Sequence, residues 1–212
     1  MNRRKKLAHF QDLHDWTHVF EPTVEDDLNL KGTWGDKVIL ELACGQGAYT
    51  LGLAQRDPSA TVIGVDIKGA RMWHGALASK DKHSNVRFLR TMIEELGRFF
   101  NEGEVDEIWI TFPDPHPRKG KAKKRLTSSR FLEIYGKILK PGGLVHLKTD
   151  ATALYEWTKE TVGESGWAVI KDVPDVYAPE ITDEVLHIQT PYEKRHLENG
   201  LTIHCVSLGM VS

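Results

Sequence analysis

The sequence predicts an α/β fold, with a mostly parallel central sheet and helices on both faces. Three observations carry this expectation. From residue 37 onward, short apolar runs alternate with helix-like stretches, the signature of βα units. The runs are nearly continuous in apolar character, as strands buried on both faces require. The residues with chemical potential stand at or just beyond the ends of those runs: Glu41, Asp66, Asp114 and Asp150. Right-handed crossovers bring such strand ends to one edge of the sheet, where ligands bind.

KVILEL (37–42) is the first strand of this series and enters the glycine turn ACGQG, with a helix following to about residue 56. TVIGVDI (61–67) is a second strand, and 68–80 reads as a helix. NVRFLR (85–90) is a third strand, followed by a short helix at 93–101. VDEIWITF (105–112) is a fourth strand and stops at Pro113. A Pro-, Gly- and Lys-rich loop spans 113–126, and Thr127, Ser128 and Ser129 offer caps for a helix over 127–139. Pro141-Gly142-Gly143 ends it; LVHLKTD (144–150) is the fifth strand, 151–164 a helix and WAVIKDV (167–173) the sixth strand. A loop over 174–200 leads to a last strand, LTIHCVSL (201–208). Two successive strands without a helix between them point to a closing hairpin with the last strand antiparallel. The reading divides the chain into a basic, helical N-terminal extension (1–36) and one domain (37–212).

Composition narrows the class. The 212 residues suit a single domain, since domains hold ~100–200 residues. With 40% hydrophobic and 27% charged residues the chain is ordinary globular material. No apolar run nears the ~18 residues of a membrane span, and the basic N-terminus MNRRKKLAHF leads into no signal-peptide core. The expectation is a cytoplasmic protein. Two cysteines, Cys44 and Cys205, exclude a four-cysteine zinc site or a disulfide scaffold. His14 and His18 are four apart but lack the Glu of a zinc-protease helix and a third ligand; no metal is expected. Net charge is −2, unevenly spread. RRKK (3–6) and RKGKAKKR (118–125) hold ten basic residues, leaving the other 200 residues with twelve more acids than bases. A concentrated basic patch on an acidic molecule is a footprint for a polyanion.

ELACGQG sets Glu41 four positions before Gly45 and pairs it with Gly47. Glycines there permit a tight turn and close approach to a ligand. A dinucleotide fingerprint would place a third glycine where Thr50 stands. A diphosphate wants an open helix N-terminus, whereas an acidic residue beside the turn suits the cationic sulfonium of S-adenosylmethionine. Asp66, 21 residues beyond Gly45, can accept from both hydroxyls of a ribose.

ITFPDPHPRKGKAKKRLT (110–127) is the most specific stretch. Phe112, Asp114, Pro115, Pro117, Lys119, Lys124, Arg125 and Leu126 match the F-x-D-P-W-P-K-K-R-H-x-K-R-R-L signature that bacterial tRNA (guanine-N7-)-methyltransferases carry. The resemblance runs from ELACGQG through VDI and HLKTD to Thr190-Pro191-Tyr192-Glu193, similar to the family's Thr-x-Tyr-Glu motif, roughly residues 37–196. It implies a Rossmann-like methyltransferase that uses S-adenosylmethionine on a guanine in the tRNA variable loop. It also implies no obligate protein partner, as a monomer or homodimer. Carried over residue by residue, Asp114 is catalytic, and Glu41, Gly45, Asp66, Met92 and Asp114 bind cofactor. Arg118, Asp150, Thr190, Pro191, Tyr192 and Glu193 bind substrate, with Glu193 a second acceptor for the guanine edge; Thr190 with Glu193 three residues later also reads as a capped helix start, and both readings can hold together. Lys121, Lys123, Lys124 and Arg125 contact RNA. The sequence departs from the family at His116, where Trp is usual, and at Gly120, which interrupts the basic run. Met92 replaces an acidic residue, so the adenine contact there falls to backbone or thioether packing.

The chemistry fits. Guanine N7 has an in-plane lone pair and needs no base; it needs alignment. Positive charge passes to the purine, and a preorganised carboxylate such as Asp114 stabilises it; Asp114 is also the first candidate to accept from the guanine N1–H and exocyclic amine, donors that adenine and cytosine do not offer as a pair. Three other readings compete. An adenine amino-methyltransferase would carry an aromatic after Asp/Asn-Pro-Pro, where this chain has Asp114-Pro115-His116. A non-catalytic RNA-binding module would not need Glu41, Gly45, Gly47 and Asp66 together, and an NAD-dependent oxidoreductase would need the third glycine.

Overall fold

The computed structural model describes residues 3–22 and 29–211, with side chains from residue 8 onward. The basic run at 3–6 opens the first helix, α1 (Arg3–Asp15), and its side chains lie outside the described residues. A two-residue strand, β1 (Val19–Phe20), follows. The alternating series then runs β2 (Val38–Leu42), α2 (Ala48–Arg56), β3 (Thr61–Val65), α3 (Gly69–Ser79) and β4 (Val86–Leu89). After a 3-10 helix (Ile93–Arg98) come β5 (Val105–Thr111), a second 3-10 helix (Lys119–Lys124), α4 (Ser129–Ile138) and β6 (Leu139–Thr149). The chain ends with α5 (Thr152–Thr161), a short 3-10 turn (Val162–Ser165), β7 (Trp167–Val173), α6 (Pro191–Glu198) and β8 (His204–Met210).

The strands form one sheet in the order β1-β4-β3-β2-β5-β6-β8-β7. All pairs are parallel except those of β8, which is antiparallel to β6 and β7. The predicted α/β class and antiparallel closing strand are both observed. Some elements differ. The 93–101 helix is 3-10 over six residues. The last strand starts at His204, not at 201. The stretch 174–200 is not all loop, since α6 lies within it. β6 pairs from Leu139 onward and shifts register against β5 between Val105 and Glu107, beside the Pro141-Gly142-Gly143 kink.

Alternation along β2 explains the two-sided core. Val38, Leu40 and Leu42 join Ile63, Val65, Ile108 and Ile110 on one face, where α4 and α5 pack. Ile39 joins Val62, Phe88 and Trp109 on the other, with α1, α2 and α3. Glu41 points to that second face, one residue from the strand's end. After β4 the chain returns across β2 to lay down β5 on its other side. This reversal opens a crevice beyond the C-terminal ends of β2 and β5.

The segment ahead of residue 37 extends both sheet and helix layer. β1 pairs with β4, and α1 packs on α3, where the Trp73 indole donates to Asp12 (2.8 Å) and stacks on His9.

Phe88 sits in a slot walled by three glycines. A Cβ at Gly47, Gly64 or Gly75 would lie 2.8–2.9 Å from its ring. Gly75 also abuts backbone: its Cβ would stand 2.6 Å from the Gln46 carbonyl oxygen. This contact holds α3 against the glycine turn. Alanine is ordinarily the better helix residue, but Gly75→Ala is expected to destabilise by about 1–3 kcal/mol, as overpacking does. Thermal unfolding should show a lowered midpoint; a raised one would contradict the contact.

Candidate active site

The floor of the crevice is a buried carboxylate. Glu41 is 1% exposed. Its Oε2 accepts from the Thr50 amide (2.7 Å) and from the Thr50 hydroxyl, and its Oε1 accepts from the Thr111 hydroxyl (2.7 Å). One side chain thus joins β2, the first turn of α2 and the end of β5. Burial pushes its pKa up to about 7, against the lowering effect of those hydrogen bonds, and Asp66 adds a smaller upward push.

Next comes the glycine turn. Ala43, Gly45 and Gly47 have φ of 56, 56 and 72°, and the Gly47 amide donates to the Cys44 carbonyl (2.8 Å). Asp66, at the end of β3, accepts from the Gly45 amide (2.9 Å) and the Lys68 amide (2.7 Å), one on each oxygen. The turn is held by the residue predicted to face the ribose.

Two cavities meet here. One, of about 400 Å³, is lined by Glu41, Ala43–Gln46, Ala48, Arg71, Thr111–Pro115, Asp150, Ala151, Thr190–Tyr192 and His196. The other, of about 240 Å³, is lined by Ala43, Asp66, Ile67, Thr91, Met92, Ile93, Glu94, Leu126 and Phe131. Ala43 belongs to both. A ligand laid across them meets a mainly apolar slot, then the Asp66 carboxylate, then a polar chamber over the glycine turn. A nucleoside with a charged tail has that sequence of groups, and a Cβ added at Gly45 would meet only open space out to 3.9 Å. The residues fit S-adenosylmethionine; Met92, the expected neighbour of the adenine, stands half exposed in the slot.

The opposite wall begins at Phe112 and His116, whose φ of 48 and 41° are left-handed for non-glycine residues. Such backbone costs about 1–3 kcal/mol per residue and persists only when surrounding contacts impose it. Here the Phe112 amide donates to the Lys148 carbonyl (2.8 Å). The Arg125 guanidinium donates to the carbonyls of Pro115 (3.3 Å) and His116 (3.2 Å) and stacks on Trp157. Arg125 is buried. The sequence reading sets Arg125 on RNA; here its guanidinium is turned into the loop, which it shapes. Asp114 is 72% exposed at the mouth, its Oδ1 accepting from the His116 amide (3.2 Å).

Thr190 caps α6 in a reciprocal box with Glu193, with Pro191 at the first helical position. Glu193 is fully buried. It pairs with Lys148 at 2.6 Å, both side chains at 0% exposure, and accepts from the Tyr177 hydroxyl (2.7 Å). It is not among the residues lining the cavity, and its contacts here anchor α6. Lys148 further donates to the Ile188 carbonyl (3.0 Å) and lies over the Tyr49 and Phe112 rings; burial pulls its pKa down, opposed by Glu193. Tyr192 stands exposed on the rim, and Asp150 Oδ2 lies 2.9 Å from His196 Nδ1. The geometry adds Thr111, Arg71, His196 and Lys148 to the residues that build this site. Arg71 and His196 lie in no motif read above, and Thr111 and Lys148 lie within such stretches without being singled out; each matters through contacts made across the fold.

Beyond Asp114 a second cleft is lined by His116, Pro117, Arg118, Lys121 and Lys124. Lys123 is exposed on the same 3-10 helix but outside the cleft. The structure thus gathers Glu41, Gly45, Asp114, Asp150 and Thr190–Tyr192 around one chamber, Asp66 and Met92 around its extension, and Arg118, Lys121 and Lys124 beside it.

A family model described as a putative methyltransferase matches residues 35–206. A tRNA (guanine-N(7)-)-methyltransferase of Porphyromonas gingivalis is 49% identical, covering 93% of this chain and 86% of that protein. One from Bacteroides fragilis is 44% identical, covering 94% and 83%. The chain belongs to the tRNA (guanine-N(7)-)-methyltransferase family. As a member of that family it is a methyltransferase. Among solved structures, the 16S rRNA methyltransferase KamB aligns with a TM-score of 0.63 at 18% identity, covering 85% of this chain and 90% of that one. The 16S rRNA (adenine(1408)-N(1))-methyltransferase from Catenulisporales acidiphilia aligns at 0.60 and 19%, covering 85% and 89%. This likeness concerns the fold. Among the described residues no helix is long and apolar enough to cross a membrane.

The raised Glu41 pKa has a measurable consequence. The folded, unliganded chain holds a proton on Glu41 between the ordinary 4.5 and about 7. The stabilisation from that proton is full below 4.5 and is lost as pH rises through 7. A cationic ligand in the chamber favours the ionised form. Titration of S-adenosylmethionine at pH 7 in buffers of differing ionisation enthalpy should show proton release, absent in Glu41→Gln. Equal release by both would remove Glu41 from this role.

Proposed function

We propose that this chain methylates N7 of a guanine in the variable loop of tRNA. The observation that carries the reading is the placement of Asp114. It is an exposed carboxylate between the cofactor chamber and a cleft of Arg118, Lys121 and Lys124.

When bound, S-adenosylmethionine supplies a methyl group on a cationic sulfur. Asp66 accepts from the ribose hydroxyls, and the slot of Ile67, Met92, Ile93, Leu126 and Phe131 takes the adenine. Tyr192, exposed at the rim, presents a ring face on which a purine stacks. Asp150, oriented by His196, accepts from the N1–H and exocyclic amine of guanine, a donor pair that adenine and cytosine lack. That contact turns the opposite, N7 edge inward. N7 carries a lone pair at neutral pH, so no residue has to remove a proton before transfer. Asp114 stabilises the positive charge arriving on the purine. The strained backbone at Phe112, held by the Lys148 carbonyl, and at His116, clamped by Arg125, holds Asp114 in position beforehand. Arg118, Lys121 and Lys124 neutralise phosphates and set register, while the chamber reads the base.

Incubation with labelled cofactor and unmodified tRNA transcript, followed by nucleoside mass spectrometry, should yield 7-methylguanosine. The product should vanish when the variable-loop guanine is replaced; methyladenosine instead would overturn the base assignment. Asp114→Ala should reduce transfer by about a hundredfold or more, as loss of a preorganised charge does, with tRNA affinity largely kept. Full activity in that variant would refute its role.

The basic cleft has its own signature. Lys121→Ala with Lys124→Ala should weaken tRNA binding and lower the slope of log affinity against log salt by about 1–2. An unchanged slope would take the cleft out of the interface.

A further inference from the structure

The cofactor chamber carries an imbalance. Three carboxylates line it, those of Glu41, Asp114 and Asp150, and a single arginine, Arg71. The function described above gives Arg71 nothing to do. Other arginines are engaged: Arg56, Arg90 and Arg130 are paired with Glu184, Glu21 and Glu94, and Arg125 clamps its loop. Among the described residues the Arg71 side chain has no hydrogen bond, ion pair or ring contact.

Its position is set by the fold. Gly75 presses α3 against the Gln46 carbonyl and Gly47. Residues four apart share a helix face, so Arg71 lies on that face one turn nearer the open end. It reaches the chamber beside Gly45 and Gln46, at the polar end and away from the apolar slot.

The charges select a partner. S-adenosylmethionine carries two cationic groups, which the acidic chamber favours, and one α-carboxylate, which it opposes. A carboxylate in this chamber requires a cation, and a guanidinium meets it with two parallel hydrogen bonds. We propose that Arg71 is the counter-ion of the cofactor's α-carboxylate. The inference rests on the cofactor placement given above and assigns a residue that no local motif marks.

Calorimetry with two ligands tests it. S-adenosylhomocysteine keeps the amino-acid carboxylate; 5′-methylthioadenosine lacks the whole amino-acid group. Arg71 is exposed, so Arg71→Met should fold with an unchanged unfolding midpoint. Its affinity for S-adenosylhomocysteine should fall about tenfold or more, in keeping with loss of a charge-assisted pair. Affinity for 5′-methylthioadenosine should not change, and Arg71→Lys should recover part of the loss. Unchanged S-adenosylhomocysteine affinity in Arg71→Met overturns the proposal, and more so if the salt dependence of tRNA binding falls instead, which would assign Arg71 to a phosphate. An equal loss for both ligands also overturns it, because Arg71 would then shape the chamber and not read the carboxylate. A wild-type chain that binds neither ligand would overturn the cofactor placement itself.

Discussion

A single buried carboxylate is the point on which the site depends. Glu41 stands where the sheet reverses direction, and its two oxygens are shared by Thr50 on α2 and Thr111 on β5. Remove those partners and a buried polar group is left without hydrogen bonds, at a cost of about 1–3 kcal/mol. Because they come from separate elements, satisfying Glu41 sets the spacing between the glycine turn and the strand that leads to Asp114. The same burial that demands these contacts raises the affinity of the carboxyl for its proton. The floor of the chamber is thereby sensitive to the charge of what lies above it.

The walls are held by charges that never reach a ligand. Arg125 spends its donors on the carbonyls of Pro115 and His116 and keeps a left-handed turn in place. Lys148 and Glu193 fasten α6 to β6, with Tyr177 completing the network. Around them lie exposed polar residues, Asp114, Tyr192, Arg118 and Lys121. The division of labour follows burial: a charge that is enclosed must be paired within the protein, and only one that is exposed can be offered outward.

Most of the sheet was legible in the sequence because strands buried on both faces leave an apolar record that needs no knowledge of partners. Glu41, Asp66 and Asp114 were legible for a related reason: strand ends are easily found, and parallel topology gathers them at one edge. The rest depended on contacts between distant residues. Arg125 reads as one more cation in a basic run, and nothing local says that it turns inward onto Trp157. Glu193 shares a capping box with Thr190, which is visible in sequence, but its ion pair is to Lys148, 45 positions earlier. The start of α6 was legible as that capping box, but its extent was not, because its eight residues are mostly polar and bury only Glu193 fully. Arg71 required Gly75 to be seen against Gln46. Sequence displays periodicity and charge; it does not display which charges are enclosed.

The Lys148–Glu193 pair has a consequence for divergence among related chains. Each member alone would be a stranded charge at zero exposure, a loss of about 3–5 kcal/mol, a large part of the margin of a typical domain. Both replaced by apolar groups of similar volume would be tolerable. The two positions are therefore not free to drift separately. A viable lineage that leaves this arrangement must cross through a double exchange, so Lys148 and Glu193 form a single heritable unit written at two places in the chain.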